Sequence, residues 1–306
     1  MIKNRLGKSE ISVSTLTLGC MSLGTDQAHA SNIIDYALDK GINHLDTADL
    51  YDFGKNEEII GNAMKGKRNE IVLTSKVGNH FSKEGKDWFW DPSKEHIMNG
   101  LKDSLRRLQT DYIDFYMLHG GTIDDPIDES IEAFERLKEE GVVRAYGISS
   151  IRPNVIREYV KRSNIDAVMM QYSLLDRRPE SEILDLLHDN QISVLARGPL
   201  AKGMLSNRAM YQVNKKGKDG FLAYSYHELQ KVIEKISTDI GSEPSMNAIA
   251  LKYVIKHPAL ASAVFGASSI DQVRENIDIE PSQDLSNETY QNLQQITKAF
   301  NYEKHL

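Results

Sequence analysis

Asp46, Tyr51, Lys76 and His119 are the side chains whose types and spacing could do chemistry together. The stretch NHLDTADLYDFGKNEEIIG (43–61) puts a carboxylate, Asp46, at the end of a strand-like run, and a phenol, Tyr51, five residues later, ahead of a helix-like segment. Lys76 closes the run EIVLTSK, and His119 follows YIDFYML. A tyrosine of ordinary pKa, about 10, is a poor acid–base partner at neutral pH. A nearby ammonium favours the phenolate and is expected to lower that value, while Asp46 would keep Lys76 protonated and aimed. A neutral His119 can donate an N–H to a substrate oxygen and orient it. Such a set suits proton delivery to a carbonyl oxygen while something else attacks the carbon. None of the four is a hydride donor, so a cofactor must bring the electrons.

Taken singly, each residue has a plainer explanation: Lys76 as a snorkelling surface lysine, His119 as a hydrogen-bonded rim residue, Asp46 as a turn former, Tyr51 as loop packing. The grouping gains weight from the elements that position it. Eight short apolar runs stand out: TLTLG (15–19), NHLDT (43–47), EIVLTSK (70–76), YIDFYML (112–118), VVRAYGIS (142–149), DAVMMQ (166–171), ISVLA (192–196) and SAVFG (262–266). Their length and β-branched or aromatic content predict strands. Helical patterns lie between most of them, among them 31–40, 93–108 and 127–140. Asp91-Pro92 and Asp125-Pro126 are expected to cap helix starts, and Gly41 and Gly141 to end helices. Eight strand–helix units with no break in composition predict α/β architecture closed as a (β/α)₈ TIM barrel. The surplus residues fit an N-terminal hairpin and an extra C-terminal helix over 287–300. One domain spanning 1–306 is expected. A doubly wound open sheet would want a glycine-rich fingerprint that GCMSLG (19–24) does not supply.

In such a barrel, sites are built at the C-terminal ends of the strands. Those ends read Gly19-Cys20-Met21, Asp46, Lys76, His119, Ser149-Ser150, Gln171, Arg197 and Gly266-Ala267-Ser268. Neighbouring parallel strands lie about 4.8 Å apart, so Asp46, Lys76 and His119 from three successive strands can converge.

A net charge of −7 over 306 residues argues against generic affinity for nucleic acid or anionic membrane. No signal peptide or spanning helix is read, and the lone Cys20 fits a reducing cytoplasm. No metal set is expected, because His119 lacks clustered ligand partners at recognisable spacing.

The sequence resembles the aldo-keto reductase family over essentially its whole length. The resemblance rests on LDTADLY with NEEIIG, the lysine of TSK, DSLRRLQTDYIDFYMLH, EGVVRAYGISS, MMQYSLLDR and GASSIDQVREN. It implies a catalytic tetrad of Asp46, Tyr51, Lys76 and His119, with Tyr51 as proton donor, and an extended NADP(H) across the barrel mouth, NAD(H) being the other option. It implies further that Ser149, Ser150 and Gln171 hold the nicotinamide carboxamide, and that Gly19, Cys20, Met21 and Asp46 border the cofactor. The loop Arg197, Gly198, Pro199, Leu200 to Lys202 should wrap the pyrophosphate, and Gly266, Ala267, Ser268, Gln272 and Asn276 should meet the adenosine end. Two positions depart from the pattern. Arg197 stands where many relatives stack an aromatic on the nicotinamide, and Ser268 stands where many place a basic residue against a 2′-phosphate. Arg274 or the run KKGK (215–218) could compensate.

Trp88 and Trp90, in the loop after the third strand, fit either a substrate-pocket wall or packing that steadies the loop, with Gly120 leaving space beside the oxygen position. A roomy pocket for aldehydes or ketones with apolar parts is expected. The partner is then a small-molecule carbonyl and the working unit a monomer. Two other functions fit the residues less well. A redox-sensing NADP(H) binder with little turnover would not need the intact set of four. A Schiff-base enzyme would need Lys76 unprotonated beside Asp46.

Overall fold

Every apolar run expected to be a strand is one. In the computed structural model, which describes residues 1–81, 87–240, 245–279 and 285–306, these runs are β1 (Leu16–Gly19), β2 (His44–Asp46), β3 (Val72–Val77), β4 (Ile113–Leu118), β5 (Val143–Ser149), β6 (Ala167–Gln171), β7 (Ser193–Arg197) and β8 (Leu260–Gly266). All pair in parallel with their neighbours in chain order, and β8 returns to β1, closing the barrel. The register decides what reaches the mouth. Gly19 pairs with Asp46, and Asp46 with Thr74. Lys76 therefore projects from the same face as Thr74, one inward position nearer the C-terminal rim.

The barrel interior is packed. Phe115, Met117, Met169 and Leu195 fill it with Leu6, Ile11 and Val13, the last three brought by an antiparallel hairpin of Lys3–Arg5 and Ser12–Ser14. That hairpin plugs the opposite end: the Asn4 side chain donates to Ala261 O, and the Gly7 amide to Ser193 Oγ. Burying one such leucine or phenylalanine stabilises by about 1.5–3 kcal/mol. One layer of the interior is polar yet satisfied. Thr17 Oγ1 lies 2.7 Å from His44 Nδ1 and 2.6 Å from Ser262 Oγ, and His44 Nε2 lies 2.6 Å from Thr74 Oγ1.

The helices α1 (Gln27–Asp39), α2 (Lys55–Ala63), α3 (Lys94–Leu108), α4 (Ile127–Glu139), α5 (Pro153–Arg162) and α6 (Ile183–Asp189) connect successive strands, and α7 (Ala209–Lys216), α8 (Tyr226–Ile240) and α9 (Met246–Ile255) fill the β7–β8 connection. After β8 come α10 (Ile270–Ile277) and the expected C-terminal helix, α11 (Asn287–Ile296). Gly41 and Gly141 follow α1 and α4, both at positive φ. No helix among the described residues is long and apolar enough to cross a membrane.

The helix starts differ from expectation. Neither aspartate side chain caps its helix. Ser93 caps α3, its hydroxyl accepting from the His96 amide, while Asp91 Oδ1 accepts from the Ser93 amide. Pro126 begins α4 with no side-chain cap, and Asp125 instead accepts from Thr122 and Trp90. A second hairpin, Asn79–Phe81 with Trp88–Trp90, rises after β3 and was not foreseen.

Candidate active site

Lys76 is completely buried, and its placement organises the site. Its Nζ lies 2.7 Å from Asp46 Oδ1, donates to Thr47 O at 2.6 Å and reaches Tyr51 OH at 3.4 Å. The loop carrying Tyr51 is fastened to the end of β3: the Thr47 amide donates to Thr74 O and the Asp49 amide to Lys76 O. Tyr51 then opens a short turn in which Asp52 and Phe53 both take left-handed φ, 48° and 50°. Non-glycine residues held there cost of order 1–3 kcal/mol each, a strain found where a position is over-determined by its surroundings. The His119 amide donates to Val77 O at 2.7 Å, and its ring meets that of Tyr51 edge-on, centroids 5.8 Å apart. The four residues foreseen from the strand ends thus come together.

Electrostatics give each a protonation state. Burial alone would lower Lys76, but the Asp46 and Tyr51 charges and hydrogen bonds outweigh it, so the ammonium is held more firmly than usual. Burial raises Asp46, with Lys76 opposing. Burial, then Lys76 and Arg197, push His119 down to about 3, so its imidazole is neutral at pH 7. Its Nδ1 is buried with no partner among the described residues. Tyr51 departs from the expected direction. Burial dominates and raises it, with Lys76 pulling the other way. The desolvation of a phenolate here outweighs the ammonium beside it, so the phenol keeps its proton.

The tetrad opens into a cleft of about 1630 Å³ that runs across the barrel mouth. Most residues singled out as cofactor neighbours line it: Gly19, Met21, Ser149, Ser150, Gln171, Arg197, Gly198, Pro199, Leu200, Lys202, Gly266, Ser268, Gln272 and Asn276. Cys20 and Ala267 do not. The Cys20 thiol donates inward to Leu18 O, and both side chains are buried in the core, so neither offers a side chain to a ligand. Gln171 is fixed at both ends of its amide: Nε2 donates to Asp176 Oδ2 at 2.8 Å, and Oε1 accepts from Arg197 Nη1 at 3.3 Å. Asp176 is in turn clamped by two bonds of 2.7 Å from Arg178. Ser268 is tied to Gln272, whose Oε1 accepts its amide, and Asn276 accepts from Asn247. Trp88, Trp90 and Gly120 border the same cleft.

Sequence reasoning missed Asp176, Arg178 and residues 300–305, which also line or support the cleft. Asp176 follows Gln171 in MMQYSLLDR, yet only the reversal that brings Ser173 opposite Asp176 turns it back onto that amide. The C-terminal segment is returned to the mouth by a backbone bond from the Asn154 amide to His305 O. No local pattern announces such a contact.

Residues 15–298 match the family model described as "Aldo/keto reductase family". The "Uncharacterized oxidoreductase YqkF" of Bacillus subtilis (strain 168) is 52% identical over 309 residues, covering 100% of this chain and 99% of that protein. The "NADH-specific methylglyoxal reductase" of Escherichia coli (strain K12) is 32% identical over 302 residues, covering 90% and 93%. The solved structure of "aldo-keto reductase AKR11C1 from Bacillus halodurans (holo form)" superposes with a TM-score of 0.94 at 53% identity, covering 100% of this chain and 99% of that one. With a closed barrel, its mouth lined as described, and these likenesses along its length, the chain belongs to the aldo-keto reductase family, oxidoreductases that use nicotinamide cofactors on small carbonyl compounds.

Proposed function

We propose that this protein reduces aldehydes or ketones to alcohols with NADPH, Tyr51 giving the proton to the carbonyl oxygen. The observation that carries this reading is the buried Lys76 ammonium, set between Asp46 and the Tyr51 hydroxyl at the edge of the cleft. When bound, the cofactor supplies hydride from nicotinamide C4 to the carbonyl carbon. Tyr51 enters the reaction as a neutral phenol, since burial keeps it protonated. As negative charge grows on the carbonyl oxygen the phenol donates to it, and Lys76, held charged by Asp46, stabilises the phenolate left behind. His119, neutral, donates one N–H to the same oxygen and fixes which lone pair faces Tyr51. The chain thereby places two donors on the oxygen and one cation behind them.

The residues fit a dinucleotide. Gln171, held by Asp176 and Arg197, presents an oriented amide for a carboxamide. A Cβ built on Gly198 would meet only the Gln171 side chain, at 3.9 Å, so the backbone can approach a ligand there. Lys202, Arg208 and Lys216 line the far part of the cleft, a local positive run on a chain of net charge −7 that suits pyrophosphate. The amide end of α10, capped by Ser269, faces the region beside Ser268. Trp88 and Trp90 then bound the substrate space, favouring carbonyl compounds with apolar parts. The protein works as a cytoplasmic monomer in this reading. The redox-sensing alternative has no observation in its favour.

The test is loss of NADPH absorbance with a panel of aldehydes and ketones, run in parallel with NADH. The E. coli relative is named for NADH, so the NADH arm is decisive for the cofactor. Turnover confined to NADH would reject the NADPH assignment, and a Tyr51→Phe protein as active as the wild type would reject the proton donor.

A further inference from the structure

Outside the tetrad, the structure gathers three side chains with the donor atoms of a metal site: His80, Asp91 and His96. His80 lies on the strand 79–81, opposite Phe89. Asp91 directly follows Trp90, and His96 is in the first turn of α3. His80 Nδ1 is 3.1 Å from Asp91 Oδ2, and His96 Nδ1 is 4.0 Å from the same oxygen. The two imidazoles lie face to face, centroids 4.5 Å apart and planes 10° from parallel. All three ligand atoms fall within 4.8 Å of one another.

A second feature is unexplained by packing. The His96 side chain is 12% exposed, Nε2 is buried without a partner among the described residues, and Nδ1 is directed towards a carboxylate beyond hydrogen-bond reach. A largely buried imidazole that makes no hydrogen bond is costly.

We propose that His80, Asp91 and His96 bind one divalent cation of the zinc class, through the two Nδ1 atoms and one carboxylate oxygen, with water completing the shell. Metal–nitrogen and metal–oxygen bonds near 2.0–2.2 Å put neighbouring ligands of a tetrahedral ion roughly 3.3 Å apart. The observed 3.1 and 4.0 Å bracket that value. Binding requires the half-exposed His80 ring to turn off its stack on His96 and Phe89, since parallel rings cannot both aim a lone pair at one ion, and the Asp91 carboxylate to close the 4.0 Å gap to His96. Two imidazoles and one carboxylate select zinc, cobalt or nickel over magnesium or calcium, which want oxygen throughout. Bound there, the ion fastens the hairpin that carries Trp88 and Trp90 to the start of α3, stiffening one wall of the cleft. The ordinary alternative is that Asp91 merely accepts from His80 and the rings only stack.

Full-length, tag-free protein stripped with chelator decides between them, by equilibrium dialysis against zinc and by the visible absorption of added cobalt. We expect one equivalent bound, a raised melting temperature, and affinity at least about tenfold weaker in both His80→Ala and His96→Gln. The metal-free melting temperature of His80→Ala should match that of the wild type, showing that the fold is kept. Absence of saturable zinc binding, or binding equally strong in both variants, overturns the site. Neither readout uses reductase activity, so this failure is distinct from failure of the reaction proposed above.

Discussion

The indole N–H of Trp90 donates to Asp125 Oδ2 at 3.0 Å, and the same oxygen accepts the Thr122 amide at 2.7 Å. One carboxylate therefore joins the hairpin after β3 to the loop after β4, across the rim beside His119. The ring also rests on backbone that leaves no room for a side chain: a Cβ on Gly78 would sit 2.6 Å from the indole, at a φ of +125°. The aromatic wall is set by a carboxylate on one side and a missing methyl group on the other.

Asp125→Ala should free that wall while leaving the tetrad in place. The expected result is a raised KM for bulky apolar carbonyl compounds with kcat changed little, the signature of lost uniform binding. Gly78→Ala should act more strongly, adding backbone strain of about 1–3 kcal/mol. Steady-state kinetics on a large and a small aldehyde check both. Equal loss on the two substrates would mean that Trp90 does not contact substrate.

Tyr51→Phe and Lys76→Met should separate chemistry from stability. Loss of the phenol removes the proposed proton donor and should lower kcat by roughly 10²–10⁴ with normal folding. Lys76→Met leaves the Asp46 carboxylate buried and alone, and should cost about 3–5 kcal/mol of stability as well as activity. Because Tyr51 titrates above its ordinary 10.0, kcat for reduction should stay level through neutral pH and fall only on the alkaline side. Chemical denaturation beside initial-rate profiles tests this pair.

The barrel was legible because its signal repeats: eight apolar runs of strand length fix eight strands, and their polar ends point to Asp46, Lys76 and His119. Direction of a pKa was harder to read. The sign for Tyr51 depends on how much solvent the fold removes, and sequence spacing carries the charges but not the burial. Asp91 and Asp125 were misread for a related reason. Each has the chemistry of a cap, but the two carboxylates are taken by His80 and Trp90, tertiary partners that sequence spacing does not show. The Asp176–Gln171 contact required a turn that no alternation of apolar residues encodes.

Acid should destabilise the protein through His44 and His119. Both are held at about 3, against 6.5 for free imidazole, chiefly by burial. The unfolded chain binds these two protons as pH falls below about 6.5, and the folded chain refuses them until about 3. Their contribution is thus complete above about pH 6.5 and is lost through that window, at about 1.4 kcal/mol per pH unit for each. Asp46 and Asp49, both raised by burial, work in the opposite sense from their ordinary 3.8 upward, so the informative quantity is a difference. Urea midpoints of wild type and His119→Asn at neutral pH and near pH 5 should converge as acid is added. Parallel curves would show that the His119 ring is already protonated in the fold.

Cofactor contacts divide into those that any pyrophosphate would feel and those that see a 2′-phosphate. Lys202→Ala should weaken NADPH and NADH alike, roughly two- to fivefold, as fits a solvent-screened charge. Ser268→Arg should strengthen NADPH alone, supplying the cation this position lacks. Fluorescence titration of both nucleotides checks the pattern. An equal gain for NADH would remove Ser268 from the 2′-phosphate site.

Behind the tetrad, α2 is locked to α3 and β3 by one fully buried carboxylate. Glu57 Oε2 accepts from Arg107 Nε at 2.7 Å and its Oε1 from Ser75 Oγ at 2.5 Å. Ser75 immediately precedes Lys76, so the pair holds the strand from outside while Asp46 holds its lysine from inside. Glu57→Ala would leave the Arg107 charge largely buried with its main partner gone, at a cost of about 3–5 kcal/mol. Glu57→Gln keeps one acceptor oxygen for the guanidinium and can turn its NH2 to donate to the Ser75 hydroxyl, so it should cost less. Urea unfolding of the two variants, with kcat measured on the folded fraction, gives the order. If Glu57→Gln proves as damaging as Glu57→Ala, it is the ionic charge and not the pair of hydrogen bonds that fixes the outer face of β3.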